Sequence, residues 1–183
     1  MGKDSLSWSQ KEKKALLKTK ILTVNEILSE SPDKKEGNFI VMDAPDWCIV
    51  IPEIDNDFLI VKQWRHGEKH LSIEFPGGVI EKGESPEKAA ARELLEETGF
   101  KTKKLVFLGK ANPNPAIMAN HVYFFAAKNL ISTGKQDLDA DEYVDFMRMP
   151  KESVYENFGN ADYQHSLMMS ALFRYLMHEK FNR

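Results

Sequence analysis

The chain has a single cysteine, Cys48, so no intramolecular disulfide can close. It lies in the apolar run Cys48-Ile49-Val50-Ile51, the setting of a buried hydrophobe rather than of a nucleophilic thiolate. A basic excess is also missing. Twenty-five Lys and Arg face 28 Asp and Glu, a formal charge of −3, which argues against general binding to nucleic acid or to an anionic membrane. Apolar runs such as Phe39-Ile40-Val41-Met42 are far too short to cross a bilayer. The opening MGKDSLSWSQKEKK has no apolar core of the signal-peptide kind, and Leu6 stands where a myristoylation signal wants Ser or Thr, so the cytoplasm is the expected location. Walker and Rossmann glycine patterns are absent, and His66, His70, His121, His165 and His178 show no zinc spacing. There is no internal repeat and no low-complexity block. With 42% hydrophobic and 29% charged residues, the 183-residue chain has the balance of one globular domain.

Residues 1–17 are polar and Lys-rich and read as a tail or a short exposed helix, with a single domain expected over 18–183. Strand patterns follow at 21–24, 38–42, 47–51, 58–61 and 71–75, and Ile54-Asp55-Asn56-Asp57 is turn chemistry between two of them. Pro76-Gly77-Gly78 ends the last of these strands. Ser85 suits a helix N-cap, Pro86 the first helical position and Gly99 the C′ position, with Ala89-Ala90-Ala91 and Leu94-Leu95 between them. Strands resume at 104–108, 121–126 and 143–147. A final helix over 162–180 carries Leu167, Met168, Ala171, Leu172, Tyr175 and Leu176 at helical spacing, a core or interface stripe. The pattern predicts a mixed α/β (α+β) fold with helices flanking a sheet.

The informative stretch is Gly78–Phe100, GVIEKGESPEKAAARELLEETGF. Glu93, Glu96 and Glu97 fall on one helical face, within an arc of roughly 100°. Like charges at this spacing each cost a few tenths of a kcal/mol, roughly 0.2–0.5, and the C-terminal half of a helix disfavours anions. Arg92 offsets part of this by pairing with Glu96. The residue types leave two readings: a solvated acidic face, or a hard-cation site of the kind that shares Mg²⁺ or Mn²⁺ with substrate phosphates.

The spacing G-x5-E-x7-R-E-U-x-E-E-x-G-U, with U apolar, is matched by Gly78, Glu84, Arg92, Glu93, Leu94, Glu96, Glu97, Gly99 and Phe100. Chance would produce it on the order of once in 10⁹ starting positions. This is the Nudix box, and over about residues 38–180 the chain resembles a Nudix hydrolase. The resemblance implies a mixed sheet between helices, with 18–47 as N-terminal strands and a possible dimerisation arm. It also implies hydrolysis of a nucleoside diphosphate linked to another group, with Mg²⁺ as cofactor and Mn²⁺ as a substitute. Glu93, Glu97 and Glu96 would ligate metal with a carbonyl of Gly77 or Gly78, Arg92 would orient the glutamates, and Glu84 would steady the loop or reach a metal through water. Gln63-Trp64-Arg65 followed by Glu74-Phe75-Pro76-Gly77-Gly78 resembles the ADP-ribose and nucleoside-diphosphate-sugar pyrophosphatase branch, as do Pro115 with Ile117 nearby and the run Asp43–Trp47. Within it, Glu142 is similar to the branch's catalytic glutamate in a mobile acidic loop, 136–142, although it also suits one more solvated acid of an Asp-rich loop. Gln63, Arg65, Glu74, Trp47, Pro115 and Ile117 then become substrate-contact candidates, although Trp47 and Arg65 also suit a core aromatic and a structural salt bridge. A homodimer is the branch's common state, and neither nucleic acid nor membrane is an expected partner. The alternatives are another nucleotide substrate (a damaged nucleoside triphosphate or a capped RNA) or a nucleotide-sugar sensor without turnover.

Overall fold

Cys48–Ile51 is apolar on both sides, and a strand buried on both faces belongs in the middle of a sheet. In the computed structural model, which describes residues 6–140 and 142–181, it is the core of β4 (Trp47–Ile54). Cys48 and Val50 turn to one face, where they meet Ala89, Ala90 and Leu94 of α1 (Pro86–Thr98). Ile49 and Ile51 turn to the other, where they meet Met168, Ala171, Leu172 and Tyr175 of α3 (Ser166–Phe181). β8 (Val122–Ser132) runs parallel to β4 and divides the same way: Phe125 and Ala127 face α1, whereas Val122, Phe124 and Ala126 face α3. The side-chain period of two thus builds both cores from two strands. This is the expected mixed sheet between helices.

The sheet runs β6 (His70–Glu74), β5 (Asp57–Arg65), β4, β8, β7 (Phe100–Ala111), with β9 (Val144–Pro150) also paired to β5. The β4–β5 hairpin turns at the expected residues, with Asp55 in the left-handed region at φ 54°. α1 has the expected ends. The Ser85 hydroxyl accepts the Lys88 N–H at 3.3 Å, and Gly99, at φ 69°, donates to the Leu95 carbonyl.

By packing, the chain divides into two compact units: residues up to 45 together with 112–121, and 46–111 together with residues from 122 onward. The first contains β1 (Ser9–Lys18), β2 (Thr23–Glu30) and β3 (Glu36–Asp43) in an antiparallel sheet of that order. Residues 9–18 are therefore a strand, where a polar tail or exposed helix was expected. Eight residue pairs with β2 and ion pairs such as Lys11–Glu30 hold it there, although its own sequence has no clean alternation. Residues 1–5 of the expected tail, and Asp141 of the expected acidic loop, lie outside the described residues.

The C-terminal helix expected over 162–180 begins only at Ser166, and a further helix precedes it. α2 (Lys151–Asn157) comes first, then a 3₁₀ turn at Ala161–Tyr163, then α3. Gly159, between α2 and the turn, and Ala161, at the start of the turn, take positive φ (95° and 43°), and α2 was not expected because it buries only Val154, too little to show a period. Among the described residues no helix is long and apolar enough to cross a membrane.

Leu94 is fully buried between α1 and β4. Leu94→Ala should lower unfolding free energy by about 2–5 kcal/mol in urea titration, and a loss well under that would show that this face is not packed as described.

Candidate active site

Strand β4 positions the loop that precedes α1. The Cys48 N–H donates to the Gly78 carbonyl (2.9 Å), the Val50 N–H to the Pro76 carbonyl (2.8 Å) and the Ile80 N–H to the Asp46 carbonyl (2.9 Å). Pro76–Gly78 is thereby laid along the strand edge, with no room for a side chain at either glycine. A Cβ on Gly77 would stand 2.2 Å from the Cys48 carbonyl oxygen, and one on Gly78 would stand 2.5 Å from Glu93 Oε1. The second clash shows where the Glu93 carboxylate lies: directly against the glycine backbone.

Glu93 and Glu97 are buried, at 7% and 4% exposure, which removes the solvated-face reading for these two. Glu97 Oε2 accepts the Gly77 N–H at 2.8 Å. Arg92 holds the others. Nη1 donates to Glu93 Oε1 and to Glu96 Oε2, both at 2.9 Å. Nε and Nη2 form a two-point contact with Glu84 (3.1 and 3.0 Å), and Nη2 also donates to the Val79 carbonyl at 2.9 Å. The Arg92–Glu96 pair read from the sequence is present, and it is one arm of a larger cluster.

One guanidinium does not balance this charge. Desolvation raises the Glu93 carboxyl from 4.5 to about 7. Arg92 opposes the rise, and the charges of Glu96 and Glu142 add to it. Desolvation raises Glu97 to about 8, against the Gly77 N–H and with repulsion from Glu93 and Glu142. Burial pushes the Cys48 thiol up to about 12, as befits an inert core residue. Among the described residues no three His, Cys, Asp or Glu side chains already converge as a ready metal cage. The donor set nevertheless suits a hard divalent cation: buried carboxylate oxygens with a surplus of negative charge, beside bare glycine backbone.

Glu142 is exposed, in the loop after β8, and its side chain accepts the Asp139 N–H at 3.1 Å. The near half of that loop is tied to the end of α1: Asp137 N–H to Glu96 carbonyl (3.0 Å), Gln136 Nε2 to Glu97 carbonyl (2.5 Å) and Thr133 N–H to Gly99 carbonyl (2.8 Å). Its charge is felt by both Glu93 and Glu97. Arg65 and the fully buried Glu74 form a two-point pair, Nε to Oε1 at 2.7 Å, so the structural role weighed for Arg65 is occupied. Trp47, Arg65, Gly77 and Gly78 line one cavity of about 450 Å³. Trp47 also packs on the core. His165, Leu167 and Met168 also line this cavity; their spacing marks Leu167 and Met168 as a core stripe, and a helix read from 162 puts His165 inside it rather than at its cap, so none of the three stands out in the sequence as a site residue. A second cavity, about 650 Å³, lies between the β5–β6 turn and the segment before α3, and shares Arg65 and His165. Gln63 sits within β5 and lines neither cavity. Pro115 and Ile117 belong to the first unit, in a turn closed by Ile117 and Met118 N–H groups on the Asn114 carbonyl and fastened to β3 by Met42 N–H to Ile117 carbonyl (2.7 Å).

A strand-laid glycine loop, a capped helix with buried glutamates and one arginine binding three of the loop and helix carboxylates define a NUDIX domain. The family model matches residues 42–169, and the chain belongs to that family. It is 35% identical over 127 residues to the ADP-ribose pyrophosphatase of Bacillus subtilis (strain 168), covering 68% of this chain and 69% of that one. To the ADP compounds hydrolase NudE of Escherichia coli (strain K12) it is 27% identical over 125 residues, covering 68% and 67%. A crystal structure of an ADP compounds hydrolase superposes with TM-score 0.86 at 22% identity, covering 98% of this chain and 97% of that chain, a likeness of fold.

Both raised carboxyls bind protons more tightly in the folded chain than at their ordinary 4.5. Their contribution to stability is therefore full below about pH 4.5 and is lost as pH rises through about 7 and 8. In metal-free buffer Glu97→Gln, which keeps an acceptor for the Gly77 N–H, should raise the melting temperature at pH 8 and change it little at pH 5. Each kcal/mol recovered corresponds to roughly 2–4 °C, and equal melting curves at pH 8 would contradict the burial of charge.

Proposed function

We propose that this chain is a Mg²⁺-dependent pyrophosphohydrolase that cleaves the diphosphate of ADP-ribose or a related nucleoside diphosphate sugar. The products are a nucleoside monophosphate and a sugar phosphate. The observation that carries this reading is the placement of Glu93 and Glu97, two buried carboxylates of raised proton affinity, against the Gly77–Gly78 backbone. The names of the relatives support the substrate class.

Glu93, Glu97 and Glu96 would hold the divalent ion. The Gly78 carbonyl already accepts the Cys48 N–H, which favours the Gly77 carbonyl as the backbone ligand. When bound, the ion would supply charge neutralisation at the diphosphate and acidify a water. Arg92, anchored by Glu84, fixes the glutamates in orientation. Glu142 takes a proton from the attacking water as the water's oxygen bonds to one phosphorus, and the bridging oxygen leaves with the other phosphate. Mn²⁺ would substitute for Mg²⁺, since both are hard cations served by carboxylate oxygens. The protein works in the cytoplasm as a homodimer. The exposed apolar residues Leu16, Leu17 and Ile40 of the N-terminal sheet support that assembly.

A panel of ADP-ribose, nucleotide sugars, damaged nucleoside triphosphates and capped RNA, each with Mg²⁺, tests the substrate. Nucleoside monophosphate should form from the first two classes, and turnover confined to the others would overturn the assignment. Glu93→Gln and Glu142→Gln should each lower kcat by roughly 100-fold or more with the fold intact. Near-normal rates would remove the corresponding role. A light-scattering mass of one chain would remove the dimer.

A further inference from the structure

His165 caps α3. Its backbone carbonyl accepts the N–H groups of Met168 (2.9 Å) and Met169 (3.3 Å), and its Nδ1 accepts the N–H of Leu167 at 3.2 Å. A neutral imidazole that accepts at Nδ1 carries its proton on Nε2. Among the described residues no hydrogen bond engages Nε2. Burial lowers the proton affinity of the ring and so favours the uncharged form. Arg65 also disfavours the charged form, while Glu74 and Glu68 act in the opposite sense. It therefore presents a fixed N–H donor whose direction the backbone sets.

His165 and Arg65 are the two residues common to both cavities, so they form the wall between them. In the smaller cavity the surroundings are otherwise apolar: the Trp47 ring, Val79, Leu167 and Met168, with the Gly77–Gly78 backbone at the end next to Glu93 and Glu97. The volume, about 450 Å³, is within the range of small-molecule sites. Such a cavity offers an aromatic face to a planar group and very few polar contacts. Arg65 already gives Nε and Nη2 to Glu74. Among the described residues, His165 Nε2 is a donor on this wall with no hydrogen-bond partner, as is Arg65 Nη1, and of the two only Nε2 belongs to a side chain not already paired with a carboxylate.

The geometry points to His165 as a substrate-binding residue: its Nε2–H donates to an oxygen of the nucleotide half of the substrate, seated in the Trp47 cavity. This rests on the nucleotide-sugar reading above. It assigns a ligand contact to a residue that would otherwise serve only as a helix cap.

The two nitrogens of the ring can be tested separately. In His165→Asn the short amide can replace Nδ1 as the cap, and Asn is a good capping residue, but it cannot reach the position of Nε2. In His165→Gln the longer amide can return a donor near Nε2 while capping less well. Melting temperature, kcat and KM for ADP-ribose, and calorimetric affinities for AMP and ribose 5-phosphate would be measured on these two variants and the parent. The expected result for His165→Asn is an unchanged melting temperature, kcat within about threefold, and KM and the AMP dissociation constant raised about 10-fold, the size of one lost hydrogen bond. His165→Gln should melt lower yet keep KM and AMP affinity within about threefold, and ribose 5-phosphate affinity should not move in either. Parental KM and AMP affinity in His165→Asn, or losses that follow melting temperature, would reduce His165 to a cap and overturn the inference. A change confined to ribose 5-phosphate would overturn the assignment to the nucleotide half. If the parent does not turn over ADP-ribose, the substrate reading falls on its own, and AMP calorimetry still decides this one. AMP bound equally by parent and His165→Asn, or bound by neither, overturns it.

Discussion

The Arg92 guanidinium is the contact on which the site depends. Glutamates on one face of a helix repel each other, and two of these are stripped of water. Arg92 draws Glu93 and Glu96 together from the helix and Glu84 and the Val79 carbonyl from the loop. Loop and helix are thereby locked into one body by a planar donor set that a lysine could not reproduce. The compensation is partial, since Glu93 and Glu97 keep a raised affinity for protons. A buried site with surplus negative charge has a built-in affinity for cations, and here the same charge that destabilises the chain is what would give the site its chemistry.

Strand β4 carries that arrangement to the rest of the fold. One backbone edge receives the glycine loop, one face receives α1 and the other receives α3. The placement of α3 is set at its far end by polar contacts: Lys151 Nζ donates to Tyr175 Oη at 3.1 Å, the Tyr175 hydroxyl meets Glu53, and Lys128 pairs with Glu179 at 3.0 Å. With Tyr175 so held and Met168, Ala171 and Leu172 packed on the sheet, the opposite end of the helix brings His165, Leu167 and Met168 to the cavity beside Gly77 and Gly78. A polar network distant from the cavity thus helps fix its wall. The loop after β8 is treated differently: three contacts bind its first part to α1, and Glu142 lies past them, in an exposed stretch.

Much of α1 was legible in the residues alone. Ser85, Pro86 and Gly99 mark its ends through hydrogen bonds and dihedral preferences that span a few residues, and the Arg92–Glu96 pair follows from helical spacing. The glycines announced a close approach without saying to what; the Cys48 carbonyl and the Glu93 carboxylate supply the answer. Strand β1 was not legible, because a Lys-rich segment becomes a strand only when β2 lies beside it. Helix α2 was hidden for a related reason, since it buries a single residue and leaves no period to read.

The sequence by itself determined the class of chemistry. The spacing of carboxylates, arginine and glycines along one short segment is a local property, written in the order of residues and enforced by helical geometry. Tertiary structure alone decided which carboxylates lose their water, that Arg65 is bound to Glu74 across a hairpin, and that His165 shares a cavity with Trp47. Those facts depend on segments far apart in the chain being pressed together. Burial and its effect on charge are set by the neighbours that packing supplies, not by the neighbours in sequence.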